Sequence, residues 1–210
     1  SDGFFSSYED IASSPVQFGQ VSRPGDIKYK DLNHDGVIDS NDQAPIGYNP
    51  VPEMTFSLAA GLNWKGIDFS ILLQGAARSS IYLQQDIAWD NFWGNYYEEH
   101  IGRWTPETAA TATYPRFTKA ATAAHPNYYK SDYWLKDSKY LRLKNIQLGY
   151  TIPRKLLKKF GVRSLRVYAN AYNLFTWDNV KKVDPESSNN SNGQFYPQQK
   201  VINFGINLNF

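Results

Sequence analysis

An acidic segment between Asp31 and Asp42 has the residue types and the spacing of a calcium-binding loop. Calcium takes about six to eight oxygen ligands, and the alternate side chains of a tight loop can supply them. Gly36 stands at the sixth position, where such loops turn sharply. The predicted ligands are Asp31, Asn33, Asp35, the carbonyl of Val37, Asp39 and Asp42.

Two features distinguish this segment from a calcium loop flanked by helices. The last ligand is Asp42, which is shorter than the usual glutamate, and Pro45 prevents a long helix after the loop. A turn rich in Asp and Asn can also hold itself, because these side chains accept hydrogen bonds from the nearby backbone. The sequence leaves both interpretations open: a structural calcium site and a self-capped turn.

A second segment is crowded with aromatic side chains and lies in a long stretch, residues 76–138, with few strand signals. Such side chains can stack on sugar rings, dock a partner or pack into a local core. The candidate residues for ligand or partner binding are Trp89, Phe92, Trp93, Tyr96, Tyr97 and Trp104. All three roles remain open for this set.

The sequence has no recognisable catalytic motif. It has no cysteine, and its 3 histidines lie outside any HExxH, GxSxG or P-loop pattern. Glu98 and Glu99 are adjacent acids in a loop, an arrangement more typical of solvated side chains than of a glycosidase pair. The net charge of +2 argues against nucleic-acid binding. We therefore predict that the protein is not an enzyme and does not bind nucleic acid.

The elements that carry these loops are predicted from alternating residues. Residues 201–210 place Ile202, Phe204, Ile206, Leu208 and Phe210 on one face and Asn and Gly on the other. About ten residues of tilted strand cross the hydrocarbon core of a bilayer. The pattern fits a barrel wall between lipid and a wet lumen, and it also fits a soluble sheet with one solvated face.

Other segments repeat this alternation. Lys65-Gly66 is a tight-turn signal between two of them and predicts a long hairpin. A bulge is expected near Asn145, because the apolar phase shifts there. The predicted strands are 54–64, 67–74, 140–152 and 164–176.

The connections between the predicted strands alternate in length. Lys65-Gly66 and residues 153–163 are short, whereas residues 76–138 and 177–199 are long. Short turns on one rim and long loops on the other are typical of outer-membrane barrels, so the alternation favours a barrel over a sandwich.

The second short connection is strongly basic. On a periplasmic rim its cations can meet anionic lipid head groups, and the alternative is a solvated face beside the membrane. The cations are Arg154, Lys155, Lys158, Lys159, Arg163 and Arg166, with no acid among them.

Several strings occur in one order along nearly the whole chain. They are GDIKYKDLNHDGVIDSNDQAPIG at 25–47, PEMTFSLAAGLNWKGIDFSILLQG at 52–75, RWTPET at 103–108, YPRF at 114–117, DSKYLRLKNIQLGYTIP at 137–153, NAYNLFTW at 170–177 and DPE at 184–186. Together they resemble the C-terminal part of the SusC/RagA family of TonB-dependent outer-membrane transporters from Bacteroidetes. The most specific strings are YLRLKNIQLGY and the acidic loop followed by the hairpin turn.

The resemblance implies an all-β fold, namely the C-terminal strands of a large antiparallel transmembrane β-barrel with long extracellular loops. In this interpretation residues 1–53 are an extracellular loop with the calcium-like motif, 54–75 a hairpin, 76–138 a long extracellular loop and 139–210 the last three strands. No signal peptide opens the sequence, so we expect the N-terminus of an exported protein to lie upstream.

The same resemblance implies an importer of oligosaccharides or peptides in the cell outer membrane. Its expected partners are a SusD-like surface lipoprotein, outer-membrane lipids, and TonB through an N-terminal part that this sequence lacks. A receptor for siderophores or vitamins, from the wider TonB-dependent class, is a further possibility.

A soluble, calcium-stabilised, carbohydrate-binding β-sandwich is the alternative. The outward side chains distinguish the two architectures. A sandwich would bury Phe204, Ile206 and Leu208 against a second layer, whereas a barrel would leave them facing acyl chains.

Overall fold

The structure is a computed structural model, and it describes residues 1–90, 94–119, 122–180, 183–187 and 197–210. The chain divides into two compact units. The first is formed by the described parts of 1–47 and 81–136, and the second by the described parts of 48–80, 137–187 and 197–210. The all-β class is confirmed, because most of the regular structure is strand.

The regular elements are few and most helical pieces are single turns. The strands are β1 (Val16–Gln17), β2 (Val37–Ile38), β3 (Met54–Trp64), β4 (Ile67–Ala77), β5 (Ser80–Tyr82), β6 (Leu135–Asp137), β7 (Tyr140–Thr151), β8 (Ser164–Asp178) and β9 (Val201–Asn209). The helices are α1 (Tyr8–Ala12) and α2 (Arg154–Leu157), with 3₁₀ turns at Gln85–Ile87, Glu98–Gly102, Pro126–Tyr128 and Lys158–Phe160. Among the described residues, no helix is long and apolar enough to cross a membrane.

The second unit is built on one antiparallel sheet with the order β3-β4-β7-β8-β9. Lys65 and Gly66 have φ values of 48° and 90°, as a two-residue hairpin turn of the I′ kind requires. The hairpin predicted around this turn is confirmed, because β3 and β4 pair along their whole length from Trp64–Ile67 outward.

The register places apolar side chains of all five strands in continuous rows on one face. One row is Leu62, Phe69, Leu148, Ala169 and Phe204, and the next is Trp64, Ile67, Tyr150, Val167 and Ile206. Because successive side chains alternate between faces, the residues between these rows lie on the opposite face. The row there is Gly61, Ser70, Gln147, Asn170 and Asn203.

The bulge predicted near Asn145 is confirmed. Leu72 pairs with Asn145 but Leu73 pairs with Leu143, so Lys144 is the extra residue in β7. This insertion returns Leu143 to the apolar face, which explains the phase shift in the sequence.

Two strand boundaries lie beyond their predicted ends. β4 continues to Ala77 and β8 to Asp178. In β8 the extension is fixed by partners in β7, since Trp177 pairs with Leu141 and Asp178 with Tyr140.

The apolar face of the sheet is uncovered. Phe204 is 82% exposed and Ile206 is 69% exposed, so neither side chain packs against a second layer. The opposite face carries an ion pair, in which Nε of Arg166 donates to Oδ1 of Asp68 at 2.8 Å. The pair crosses β7 at Gly149, where a larger side chain would collide with it.

The first unit buries its apolar residues with very little regular structure. β1 and β2 form a short parallel pair, and most of the remaining backbone is loop. Its core is largely aromatic and includes Phe5, Ile27, Ile38, Trp89, Tyr114, Tyr128 and Trp134.

Candidate functional site

A cleft of about 830 Å³ lies within the first unit. This volume is in the range of small-ligand sites. One wall comes from the end of the acidic loop and the residues after it, among them Asp39, Asp42, Gln43 and Ile46. The other wall is mainly aromatic and includes Tyr29, Tyr82, Trp89, Tyr128 and Tyr129. The cleft therefore brings the calcium-like segment and one member of the aromatic set to the same place.

Tyr29 is held in the cleft wall by a buried amide. Gln17 donates from Nε2 to the carbonyl of Ile27 at 3.0 Å, and its Oε1 accepts from the backbone N–H of Tyr29 at 2.6 Å. The phenol of Tyr29 then donates to the carbonyl of Pro126 at 2.6 Å. Burial raises the pKa of Tyr29 and raises the pKa of Tyr82 to about 12, so both phenols stay neutral beyond the pH at which an ordinary tyrosine ionises.

Trp89 is fixed beside a buried carboxylate. Asp90 is fully buried, and its Oδ2 accepts from the backbone N–H of Thr118 at 2.9 Å. Its Oδ1 accepts from the hydroxyls of Tyr114 and Tyr128, whose pKa values are raised by burial and further by this carboxylate. The ring of Tyr128 lies 4.8 Å from that of Trp89, so the Asp90 network sets the aromatic wall of the cleft.

A second buried carboxylate joins three of the strings named above. Nε of Arg116 lies 2.6 Å from Oδ1 of Asp26, and Nδ2 of Asn127 donates to the same oxygen at 2.9 Å. The preceding Gly25 has φ of 87°, and the Trp104 ring packs where its side chain would be. The strings at 25–47, 103–108 and 114–117 thus meet in a structural node, which local sequence patterns did not reveal.

The calcium-like loop is braced by its own backbone at both ends. Asp31 accepts from the N–H groups of His34 at 2.6 Å and Gly36 at 2.8 Å. Asp42 accepts from Leu32 at 2.7 Å with Oδ1, and from Asp39 at 2.9 Å with Oδ2. The backbone N–H of Asp39 is the main cause that lowers the pKa of Asp42.

Inside the loop, three further predicted ligands make Asx turns. Asn33, Asp35 and Asp39 each accept from the backbone N–H two residues later, at 3.0, 2.9 and 2.7 Å. The remaining predicted ligand, the carbonyl of Val37, belongs to a residue of β2. In the part of the chain that the structure describes, no group of three or more His, Cys, Asp or Glu side chains is arranged to hold a metal. The geometry is that of a self-capped turn, and calcium binding stays a prediction.

The structure separates the aromatic residues that the sequence grouped. Trp89 is buried in the cleft wall, and Trp104 packs on Gly25. Tyr96 and Tyr97 are exposed, and each ring has an edge contact with the His100 ring. The other two predictions, Phe92 and Trp93, fall outside the described residues.

The polar face of the sheet carries a charged cluster near the ends of β7 and β8. Arg142 is only 1% exposed, and its guanidinium contacts Asp184 at 2.7 Å and Glu186 at 3.3 Å. It also donates to Oγ1 of Thr176 at 2.9 Å. Burial is the largest single influence and acts to raise the pKa of Asp184. The hydrogen bonds from Arg142 and from the backbone N–H groups of Glu186 and Gln198, together with the charge of Arg142, outweigh it, so the pKa is lowered. The strings YLRLKNIQLGY and DPE therefore form one anchor for the loop after β8.

Sequence comparison finds relatives over nearly the whole chain. The chain is 31% identical to TonB-dependent receptor P26 of Formosa agariphila, covering 99% of the chain and 22% of that receptor. It is 26% identical to TonB-dependent receptor SusC of Bacteroides thetaiotaomicron, covering 92% of the chain and 18% of SusC. The chain spans about a fifth of the length of the curated relatives it matches. No protein-family model matches it.

Comparison with solved structures agrees with these relatives on the fold. The RagAB peptide importer in its closed-closed state matches 92% of the chain and 20% of its own, with a TM-score of 0.61 and 22% identity. The open-open state of RagAB matches 83% of the chain with a TM-score of 0.62 and 22% identity. The two solved states therefore support the fold assigned to the described residues.

Proposed function

The chain is homologous over nearly its whole length to a part of the SusC/RagA-type TonB-dependent receptors, and on this premise we propose that it forms part of the wall of an outer-membrane importer. The apolar rows of the sheet would face lipid, and the row from Gly61 to Asn203 would face the lumen. Transport would then depend on binding and gating, with no bond-making step in this chain.

The observation that carries this proposal is the uncovered apolar face. It runs without interruption across five strands, and in β9 it includes Phe204 at 82% exposure. Water would penalise such a surface, whereas acyl chains would not. A β-sandwich would require a second sheet over this face, so the exposure argues against the soluble alternative.

The edges of the sheet support the same conclusion. Among the described residues, β3 and β9 each pair with a strand on one side only. Unpaired backbone groups are untenable in a hydrocarbon environment. The remaining four-fifths of a receptor of the relatives' length would supply the neighbouring strands.

Cargo and partners follow from the relatives as proposals. We propose an oligosaccharide or peptide as cargo, a SusD-like surface lipoprotein as partner, and TonB as the source of energy through another part of the receptor. The long loops of the first unit would lie on the extracellular side. The aromatic and amide groups of the cleft suit either class of cargo, because both offer apolar surface and hydrogen-bonding groups.

We also propose that the Asp31–Asp42 loop binds calcium in a structural role. The support is the spacing of its side-chain oxygens and the left-handed Gly36, with φ of 86°. A carboxylate oxygen that accepts one backbone hydrogen retains a lone pair for a cation.

Adjacent substitutions in β9 test the membrane assignment in the full-length protein. Phe204→Lys puts a charge on the lipid face near mid-strand and should cost about 2–4 kcal/mol. Asn203→Lys puts the same charge on the lumen face and should be tolerated. The measurement is the fraction of detergent-extracted protein with heat-modifiable gel mobility. Equal tolerance of the two lysines, or a soluble monomer without detergent, would refute the proposal.

A further inference from the structure

We propose that the short-turn rim of the sheet binds the phosphate head groups of anionic phospholipids. This rim consists of the Lys65-Gly66 turn and residues 153–163. Its two turns are neighbours, since the backbone N–H of Thr151 donates to the carbonyl of Gly66 at 2.7 Å. The inference rests on the proposed membrane location of the sheet and adds a specific lipid class.

The charge on this rim is unbalanced. It carries Lys65, Arg154, Lys155, Lys158, Lys159 and Arg163, and the sequence from Tyr140 to Trp177 contains no acid. Within the described residues, none of these six cations is within 4.0 Å of a carboxylate. The nearby Asp68 is already paired with Arg166. The rim therefore presents a net positive charge that an external anion can neutralise.

Apolar side chains are interleaved with these cations. Leu157 is buried and anchors α2, while Leu156 and Phe160 are 66% and 75% exposed. Gly161 ends this segment in a left-handed conformation with φ of 69°. An exposed leucine and phenylalanine among lysines are suited to a lipid interface, where the apolar groups enter the acyl boundary and the cations stay with the head groups.

Aromatic residues place the rim at the level of the interface. Trp64 and Tyr150 belong to the same row of the sheet, on either side of Ile67. Trp64 is 59% exposed, and Nζ of Lys65 lies 4.8 Å from the centre of its ring. Trp and Tyr concentrate where hydrocarbon meets head groups. From this row inward the exposed face is apolar, so the lipid that covers the sheet would present its phosphates to the rim.

Native mass spectrometry of the full-length receptor in mild detergent tests the inference. Phosphatidylglycerol and phosphatidylcholine with identical acyl chains are titrated separately. The quadruple variant R154Q/K155Q/K158Q/K159Q should lose at least about tenfold in affinity for phosphatidylglycerol. Each cation near an anionic surface is worth a factor of about five, so two of the four in contact with the head group are enough for this loss. Its affinity for phosphatidylcholine should not change.

The matched control, R23Q/K119Q/K139Q/K200Q, removes one Arg and three Lys that lie outside the rim. It should stay within about twofold of the unmodified receptor, because salt screens distant charges. Equal losses in the two quadruple variants, or equal affinities for the two lipids, would overturn the inference. Excess inorganic phosphate should leave lipid retention unchanged, and displacement by it would indicate a soluble-anion site instead.

A second variant covers the case in which the quadruple variant fails to assemble. L156S/F160S keeps every charge and should reduce the retention of both lipids severalfold; unchanged retention would contradict the inference. Heat-modifiable mobility of the unmodified receptor is measured in parallel. Its absence would reject the proposed function, whereas its presence with no lipid preference would reject only the head-group site.

Discussion

The two units of this chain satisfy the hydrogen-bonding groups of their backbone in different ways. The sheet satisfies its backbone by strand pairing, so its side chains are free to divide into an apolar face and a polar face. The first unit has few strands, and buried side chains such as Gln17, Asp26 and Asp90 satisfy its backbone instead. The sheet exposes Phe204 while the first unit buries Trp89, although both side chains are large and aromatic. The difference indicates that the surroundings of each surface, and not residue type, decide which side chains are hidden.

Removing the Asp26 carboxylate should cause the largest loss of stability, and this loss should be confined to the first unit. Asp26→Ala leaves Arg116 without its carboxylate, and breaking a buried pair in this way costs about 3–5 kcal/mol. We expect the first unit of the full-length protein to become sensitive to limited proteolysis while the barrel keeps its heat-modifiable mobility. Asp10→Ala, which removes a half-exposed pair with Lys28 at 2.7 Å, is the milder control. Loss of the barrel signal in Asp26→Ala would show that the two units do not fold separately.

The ion pairs of Arg142 lie on the sheet, but breaking them should destabilise the protein in the same way as breaking the Asp26 contacts of the first unit. Arg142→Met leaves Asp184 half-buried without its cation, and we expect a loss of about 2–4 kcal/mol in the attachment of the following loop. Proteolysis within residues 179–200 measures it. Lys144→Met, which removes only a 3.3 Å contact to Glu186, should have a smaller effect. Similar cleavage in the two variants would contradict the anchor.

The same anchor should respond to acid. Because the folded pKa of Asp184 is lowered, its contribution to stability is complete above the pKa of an unfolded Asp and is lost as pH falls through the folded value. Cleavage of the loop should therefore increase below the ordinary Asp range in the unmodified protein. In Arg142→Met it should already be high at neutral pH and change little on acidification. A pH-independent loop in the unmodified protein would exclude this mechanism.

The sheet was largely predictable because its information is local. Alternation with period two located the strands, and the phase shift near Asn145 located the bulge. The end of β8 was missed, since Trp177 is in the strand because of a partner, Leu141, that lies 36 positions earlier. Even here the sequence could not supply the register that joins five strands into continuous rows.

The first unit was much less predictable because its contacts join residues that are far apart in the sequence. Arg116 and Asn127 reach Asp26 across 90 and 101 positions, and no short pattern marks such a meeting. Proximity in sequence also grouped Trp89 with Tyr96, yet one is buried and the other is exposed. The strings that carried the family resemblance proved to meet in space, which local reasoning had no means to show.

Calcium should give the smallest change in stability, and this change should be confined to the first unit. Extracellular loops of this type bind calcium at about 0.1–1 mM, so about 1 mM calcium should stabilise the loop by roughly 0.4–1.4 kcal/mol. The measurement is the urea midpoint for proteolysis of the first unit in calcium against equal magnesium. Asp35→Asn should abolish the difference, because it removes a charge while keeping an acceptor for the N–H of Val37. Identical midpoints in the two cations would show that calcium does not stabilise the loop and that the backbone hydrogen bonds to Asp31 and Asp42 hold it instead.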